Sequence, residues 1–382
     1  MPSSRPSFVW PRRIVHVTPF LWSGAGGALV RLAEAQREAG AEVTVVTTGR
    51  SRGGSDWPAL RQRLRRAGAD HVRLDFFARD PNVFWPTVEA LEKVLVRAKA
   101  QIAHAHAGVP ACALAVCRDR GAWRGAAVGH LNSWGVGRPA WMDTMDAWGY
   151  ARLDRVVCIS RAYQARLARL GVARGRLRYV PWGVDLLERV REPRIASEAR
   201  PIVGFVGRIE PRKNQIALVD AFARVRQRWP DLLLELVGPI ADHAYADTLG
   251  RAVTDAGLDG AVRMPGGVPD IAPVVRRWAA FLSASTDEGQ GLAVLEAMAL
   301  GVPVVAAKVR GIEDYLDAAT GVVVARPTPA GLARGLIRAL EGQAATVGRA
   351  RRARQLVLRR YSWPRALDAL AGVYTDAIAS RG

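Results

Sequence analysis

The sequence predicts an α/β protein built as two doubly wound domains facing a cleft, and three observations predict it. Short runs rich in β-branched residues recur between segments of helical periodicity, the alternation that builds parallel sheets covered by helices. Several of those runs end in glycine-containing turns, which let backbone approach a ligand at the carboxyl edge of a sheet. The 382 residues, 49% hydrophobic and 24% charged, are ordinary for soluble globular protein and long enough for two cores.

The first strand is predicted at residues 13–18, followed by a glycine loop containing Gly24, Gly26 and Gly27 and a helix at 29–39. A glycine loop between strand and helix follows phosphate-binding logic. A dinucleotide fingerprint fails, because Leu29 occupies the third glycine position, and a tight turn alone is the plainer alternative. A second strand spans 42–48 and a loop 49–54. Residues 57–67 carry Arg61, Arg63, Arg65 and Arg66, read as a solvated helix face in preference to a membrane-surface helix. A helix at 87–100 precedes a strand ending in His104-Ala105-His106. His-x-His can bind metal, but no acidic or cysteine partner is spaced to complete a site, so a structural role is the better reading.

Residues 126–130 form a strand delivering His130 to its carboxyl end, where doubly wound sheets place ligands. Trp134, Trp141 and Trp148 follow at sevenfold spacing, either as core or as an aromatic acceptor platform. A strand at 155–160, a helix to residue 170 and the stretch 177–185 complete a first domain, residues 1–192. The polar, proline-flanked 193–201 is the linker, and a second alternating domain spans 193–360, leaving 361–382 as a C-terminal helical segment. The second domain opens with a strand at 202–207 that ends in Gly207 and Arg208, and Lys213 follows before a helix at 215–229. Two cations there can neutralise a developing diphosphate, whereas the plain alternative is a solvated basic loop. A strand at 232–238, a loop at 262–268 ending in Val268, and a strand at 279–283 lead to the central stretch.

That stretch, 286–306, reads TDEGQGLAVLEAMALGVPVVA. Glu288, Gly289, Gln290 and Gly291 form a flexible turn. Leu292 opens a helix of strong helix formers that Gly301 stops, and 302–306 is apolar on both parities, as in a strand buried on both faces. The first-turn amides of the Leu292 helix carry the positive end of its dipole and suit a phosphate. Glu296, a little over one turn into the helix, is better suited to sugar hydroxyls, and Glu288 lies before the turn, so the two carboxylates could meet two sugars of one ligand. A solvated face is the alternative for Glu296 alone.

The spacing Glu288-x7-Glu296, followed by Ala297-Met298-Ala299-x-Gly301-x-Pro303-Val304-Val305, resembles the signature of the retaining glycosyltransferases of family 4. Gly207-Arg208-x4-Lys213-Asn214 is similar to that family's diphosphate-binding motif, and the likeness spans nearly the whole chain. Ala284-Ser285 stands where the family has Pro-Ser, Gln290 where it has Phe, and Trp182 where it usually has Asn. The resemblance implies two Rossmann-like doubly wound domains facing a cleft, the GT-B arrangement, and transfer of a hexose-type unit from a nucleoside diphosphate sugar with retention. It implies that Gly24, Gly26 and Gly27 border the donor diphosphate, that Arg208, Lys213 and the Leu292 helix stabilise it as it leaves, and that Val268 lies in the loop meeting the base. It gives Glu296 the ribose and Glu288 the sugar, which His130 helps position. The stretch at 101–106 resembles the family's strand-end His motif, Gly311 and Glu313 a donor-side loop, and 361–378 the helices that cross back onto the first domain.

Composition bounds the partners. The formal net charge is +20, and only Lys93, Lys99, Lys213 and Lys308 among the 55 basic residues are not Arg. Up to Val190 there are 29 basic and 15 acidic residues, so the first half carries +14 of the total. Such an excess suits nucleic acid, an anionic membrane or an acidic acceptor without choosing among them. Cys112, Cys117 and Cys158 are too few for a disulfide framework and point to a reducing, cytoplasmic setting. The N-terminus has no signal-peptide apolar region and no stretch approaches 18 uncharged apolar residues. The expectation is a metal-independent transferase with no cofactor, acting on a small-molecule, glycan or lipid acceptor, with peripheral membrane contact open and no nucleic acid. Its rivals are a sugar-nucleotide epimerase or phosphorylase on the same fold, and a non-catalytic basic binder of nucleic acid or membrane.

Overall fold

The computed structural model describes residues 9–21, 23–48, 56–75, 81–135, 138–184 and 200–381. The 49–54 loop and most of the 193–201 linker lie outside them. The chain divides into two compact units, Met1–Gly183 with Pro364–Gly382, and Val184–Trp363.

In the first unit, strands β1 (Arg13–Thr18), β2 (Glu42–Thr47), β3 (Asp70–Arg73), β4 (Ile102–Ala105), β5 (Ala126–Leu131), β6 (Arg155–Cys158) and β7 (Leu177–Tyr179) form one sheet ordered β3-β2-β1-β4-β5-β6-β7. Every pairing is parallel. Helices α1 (Ser23–Glu38), α2 (Asp56–Arg66), α3 (Pro81–Arg97), α4 (Gly108–Arg120), α5 (Ala140–Ala151) and α6 (Arg161–Arg169) connect the strands. The central strands are buried almost throughout, which is why they read as continuous apolar runs. Two polar residues interrupt them in register, with His16 of β1 opposite His104 of β4. On β5, a Cβ at Gly129 would lie 2.7 Å from the Tyr150 ring, so glycine lets α5 close onto the sheet.

Two expectations change here. Gly24, Gly26 and Gly27 do not form a loop, because α1 begins at Ser23 and takes them into its first turns. Gly26 is needed there for packing, since a Cβ would meet the Leu21 carbonyl carbon at 2.8 Å; tertiary contact overrides the poor helix propensity of glycine. Helix α4 has no counterpart in the sequence reading, since Val109 to Leu114 are buried on all sides and leave no amphipathic stripe to read.

The second unit has strands β8 (Ile202–Val206), β9 (Leu233–Val237), β10 (Val262–Gly266), β11 (Ala280–Ser283), β12 (Val304–Ala307) and β13 (Val322–Val324), ordered β10-β9-β8-β11-β12-β13. All of its pairings are parallel too. Helices α7 (Gln215–Arg226), α8 (His243–Asp255), α9 (Ala272–Val275), α10 (Leu292–Ala299), α11 (Pro329–Glu341) and α12 (Gln343–Arg360) complete it. Alternate residues of single strands enter different cores: Leu234 and Leu236 join one cluster, Leu233 and Val237 the other, so helices cover both faces. The 262–268 segment is not wholly a loop, because Val262–Gly266 is a strand. Pro265 is tolerated in it because β10 is an edge strand with a register shift. Val268 follows it and packs against the core.

The last helix, α13 (Trp363–Ala379), belongs from Pro364 onward to the first unit. Its Tyr374 is fully buried, edge-on to Trp10 at 5.4 Å, and Asp376 accepts from Arg178 at 3.0 Å.

Candidate functional site

In both sheets the first strand of the unit lies beside its fourth, so the chain reverses its direction of progress between β1 and β4 and again between β8 and β11. Ligands of doubly wound folds bind beyond the carboxyl ends of strands at such switch points. The predicted residues lie at these two places.

Beyond β8 and β11 the second unit gathers charge. Arg208 follows the strand, and the 3-10 turn Pro211–Lys213 ends at Asn214, whose φ of 54° reverses the chain into α7; Asn is among the few residues that accept this left-handed conformation. Gln215 donates to the Arg208 carbonyl at 2.7 Å and the Thr286 amide to that of Arg212 at 3.0 Å, tying the two strand ends together. Lys213 Nζ lies 2.5 Å from Glu288 Oε1, to which Ser285 also donates at 2.8 Å. Arg208 and Arg212 each donate to Glu210 at 3.0 Å, Arg212 stands 3.7 Å from Glu288, and Arg310 pairs with Asp287 at 2.9 Å.

The electrostatics follow from this packing. Burial works against charging Glu288, but Lys213 and then Arg212 outweigh it, and the carboxyl titrates below its ordinary value. Burial lowers the Arg208 guanidinium, with Glu210 opposing. For Arg212 burial is outweighed by Glu288 and Glu210, so its affinity for the proton rises. Arg208, Arg212 and Lys213 against Glu210 and Glu288 leave a formal surplus of one positive charge, held by fixed side chains.

The glycine turn leads from this cluster into α10. Gly291 is the N-cap at φ 74°, a left-handed conformation natural to glycine, and Tyr315 donates to its carbonyl at 3.1 Å. Gly311, at φ 83°, presses on the same turn: a Cβ there would lie 2.6 Å from the Gly289 carbonyl oxygen. Leu292 opens the helix and Glu296 stands partly exposed in its second turn, while Val294, Leu295, Ala297 and Met298 are buried. Gly207, Arg208, Lys213, Glu288, Gly289, Gly291, Leu292 and Glu296 therefore share one end of one sheet. One expectation shifts in detail, because Lys213 and Glu288, assigned separately to diphosphate and sugar, are each other's partners. Glu210, Arg212, Asp287 and Arg310 were not singled out from sequence. The signal was available for two of them, since Arg208, Glu210, Arg212 and Lys213 crowd four charges into a proline turn.

At the first unit's switch point the chemistry is different. His16, His104, His106 and His130 are all buried. His16 Nε2 lies 2.7 Å from Gln36 Oε1, and its Nδ1 lies 3.0 Å from His106 Nε2. With Gln36 placed so, His16 carries its proton on Nε2 and His106 donates to His16. His104 Nδ1 meets the Tyr374 hydroxyl at 2.7 Å. Burial brings His16 down to about 4 and holds His104, His106 and His130 well below the ordinary imidazole value, with their mutual repulsion adding to it, so the cluster is neutral.

His16, His104 and His106 each place a possible ligand atom within 4.8 Å of the others. No Asp, Glu or Cys joins them among the described residues, and both His16 nitrogens are already engaged. A divalent ion bound by all three would have to break a His16 hydrogen bond to Gln36 or to His106. The donor set fits a hydrogen-bonded histidine network better than a metal centre. The tryptophans divide. Trp134 is core, donating to Asp143 at 2.7 Å with Arg166 over its ring at 4.5 Å. Trp141 and Trp148 are 54% and 38% exposed on α5.

Comparison with known proteins gives this geometry a family. A model described as "Glycosyltransferase Family 4" matches residues 22–187 and one described as "Glycosyl transferases group 1" matches 188–356, so together they cover both units. The chain is 35% identical over 190 residues to a D-inositol 3-phosphate glycosyltransferase of Salinispora arenicola, covering 47% of this chain and 42% of that protein. It is equally identical, over 190 residues, to a GDP-mannose-dependent alpha-(1-6)-phosphatidylinositol monomannoside mannosyltransferase of Mycolicibacterium smegmatis, covering 45% and 49%. The chain thus spans a little under half the length of these relatives. Among solved structures, Anabaena HepE in complex with UDP superposes with a TM-score of 0.81 over 95% of this chain and 99% of that one, at 20% identity. The fold is GT-B, and the chain belongs to glycosyltransferase family 4.

Proposed function

We propose that the protein is a retaining glycosyltransferase that moves a hexose-type unit from a nucleoside diphosphate sugar to a hydroxyl acceptor without a metal ion. The observation that carries this reading is the cationic cluster at the β8–β11 switch point beside the start of α10. Breaking the bond to the leaving diphosphate develops negative charge, and charge fixed in advance stabilises it without reorganisation. Arg208, Arg212 and Lys213 supply that charge, held by Glu210 and Glu288, and the α10 amides add a dipole of the right sign. Glu296 then takes the ribose, and Glu288 the sugar while it holds Lys213. Val268 takes the base, and Gly24, Gly26 and Gly27, at the start of α1, border the phosphates. His130 is neutral, so its part is a hydrogen bond to a sugar hydroxyl and not the delivery of a proton at neutral pH.

Relatives named for GDP-mannose and inositol phosphate, and a neighbour holding UDP, support a nucleoside diphosphate donor. For the acceptor we favour a soluble small molecule or glycan over a lipid. Among the described residues of α2, Leu60 and Leu64 are buried in the unit and Arg63 clasps Glu34 with bonds of 2.8 and 2.6 Å, which commits these three side chains to the protein and not to a membrane surface. The buried thiols Cys112, Cys117 and Cys158, none of them in a disulfide, fit a cytoplasmic setting. A thermal-shift panel of UDP, GDP and their sugars tests the donor, because a ligand of the native state raises its melting temperature by mass action. Stabilisation by one base and loss of that shift in Arg208→Ala is the expected result; no shift with any nucleotide would refute the reading.

A further inference from the structure

His130 is fully buried, and neither ring nitrogen has a hydrogen-bond partner. Leaving such atoms unpaired is costly unless water or a ligand completes them. The ring is held by stacking instead. Trp182 lies nearly parallel to it at 15° with centroids 4.3 Å apart, and His104 lies at 14° and 5.2 Å. Trp182 is itself 1% exposed, and its indole N–H donates to Asn132 Oδ1 at 2.7 Å. The Asn132 amide donates in turn to the His106 carbonyl at 3.3 Å. The chain between β7 and the unit's end is thereby fastened to the turn after β5, with the His130 ring against the fastening.

We propose that Trp182 is the positioning residue for His130, its indole setting the plane of the imidazole and keeping water from it so that the unpaired nitrogens are reserved for a ligand hydroxyl. This rests on the reading above that His130 meets the sugar. Water beside the ring would satisfy the nitrogens and would have to be displaced by any hydroxyl that binds. The burial of the whole ring keeps its in-plane nitrogens from bulk water, and the indole closes one face of that enclosure while adding no competing donor, because its own N–H is committed to Asn132. Among the described residues, the titratable groups near His130 include His16 on β1, His104 and His106 at β4, Tyr374 on α13, which reaches His104, and Tyr150 on α5, whose hydroxyl donates to the His130 carbonyl at 3.4 Å.

The test reads the imidazole itself. Long-range 1H–15N spectra of histidine-labelled protein, with His130 assigned by loss of its signals in His130→Gln, are followed against pH in the wild type, Trp182→Phe, Trp182→Asn and Asn132→Ala. The expected result is a neutral single tautomer in the wild type and in Trp182→Phe down to the lowest pH at which each stays folded. In Trp182→Asn, which carries the residue of the resembled family, His130 titrates near the ordinary value. Asn132→Ala keeps the stacked ring but frees it, giving the same shift in smaller measure, and serves if Trp182→Asn does not fold. Indistinguishable His130 titration in the wild type, Trp182→Asn and Asn132→Ala would overturn the proposal, as would a Phe variant as perturbed as the Asn one. Donor hydrolysis by Trp182→Asn falls roughly 10-fold or more in kcat with UDP or GDP affinity unchanged. Undiminished turnover in His130→Gln refutes the sugar contact instead, while the spectra still decide the role of Trp182.

Discussion

The two switch points share one topology and hold opposite chemistry. At the β8–β11 switch point Arg208, Arg212, Lys213 and Arg310 pair with Glu210, Asp287 and Glu288, and the cluster keeps its charge while largely buried. Between β1 and β4 the polar groups are imidazoles that burial keeps uncharged. The first arrangement can meet a diphosphate. The second can orient hydroxyls or simply hold the sheet together, but it offers no charge at neutral pH. Strand order brings loops to one place, and the residue types there decide what the place can bind.

The largest expected effect of this difference is on stability in acid. The unfolded chain takes up protons near the ordinary imidazole value of 6.5, whereas folded His16 does so only near 4. Between those values protons favour the unfolded state, so the first unit is fully stable above about pH 6.5 and weakens as pH falls toward 4. His16 alone contributes roughly 3 kcal/mol by pH 4, with His104, His106 and His130 acting in the same direction. Glu288 behaves differently. Its lowered carboxyl contributes stability that is present above its ordinary value of 4.5 and lost as pH falls below that. Hydrogen exchange followed from pH 7.5 to 4.5 should show the β1 and β4 amides losing protection first and those of β8 and β11 later. Simultaneous loss would break the contrast.

The next effect is on turnover. Arg208→Ala removes one preorganised cation, and a loss of roughly 10²-fold in kcat, near 3 kcal/mol, is expected. Lys213→Ala should lose as much and also leave the buried Glu288 without its nearest cation, so it destabilises the second unit by up to about 3–5 kcal/mol. Sugar-nucleotide turnover and urea unfolding of both variants separate the two consequences. Folded variants with near-normal rates would remove the diphosphate from this site. The corresponding change at the other switch point, His104→Gln, removes no charge and should cost turnover far less.

How much of this was legible in the sequence depended on which physical signal each residue leaves. Buried parallel strands announce themselves by apolar runs, so β1, β8 and β12 could be read directly, as could Gly291, whose left-handed N-cap needs glycine. Helix α4 could not, because burial all round erases periodicity. The start of α1 was misread because three glycines argue for a loop until the contact of Gly26 with Leu21 is known. Pairings across long separations were hidden altogether. Nothing local in Lys213 points to Glu288, 75 positions away, nor in His104 to Tyr374, 270 away. The chemistry of a site was legible as a list of residues, and its wiring was not.

A smaller effect tests the division of labour within the second unit. Glu296 stands partly exposed in the second turn of α10. Glu296→Ala should weaken UDP or GDP binding by roughly tenfold, the loss of a charge-assisted hydrogen bond to a ribose hydroxyl, with kcat at saturation little changed. Glu288→Ala should instead lower kcat, because it releases Lys213. Calorimetric titration of nucleotide into both variants decides between them, and unchanged affinity in Glu296→Ala would reverse or void the roles.

The smallest expected effect is that of a chelator, where the contrast predicts no change at all. A divalent ion bound with a diphosphate needs oxygen ligands of its own, commonly carboxylates left open to it. The acidic residues of the ion-pair cluster at the β8–β11 switch point are engaged: Glu210 by Arg208 and Arg212, Glu288 by Lys213 and Ser285, Asp287 by Arg310. Recruiting any of them would strip a neighbouring cation of its counter-charge, and those cations already supply what the ion would bring to the leaving phosphate. The histidine group of the first unit offers nitrogen ligands but no carboxylate among the described residues, a poor match for magnesium. Sugar-nucleotide turnover should therefore be equal before and after dialysis against EDTA, and added magnesium or manganese should not raise it. Activity lost to EDTA and restored by magnesium would mean that at least one of these ion pairs opens when the donor binds, and that the charge on the phosphates is met by a metal rather than by Arg208 and Lys213.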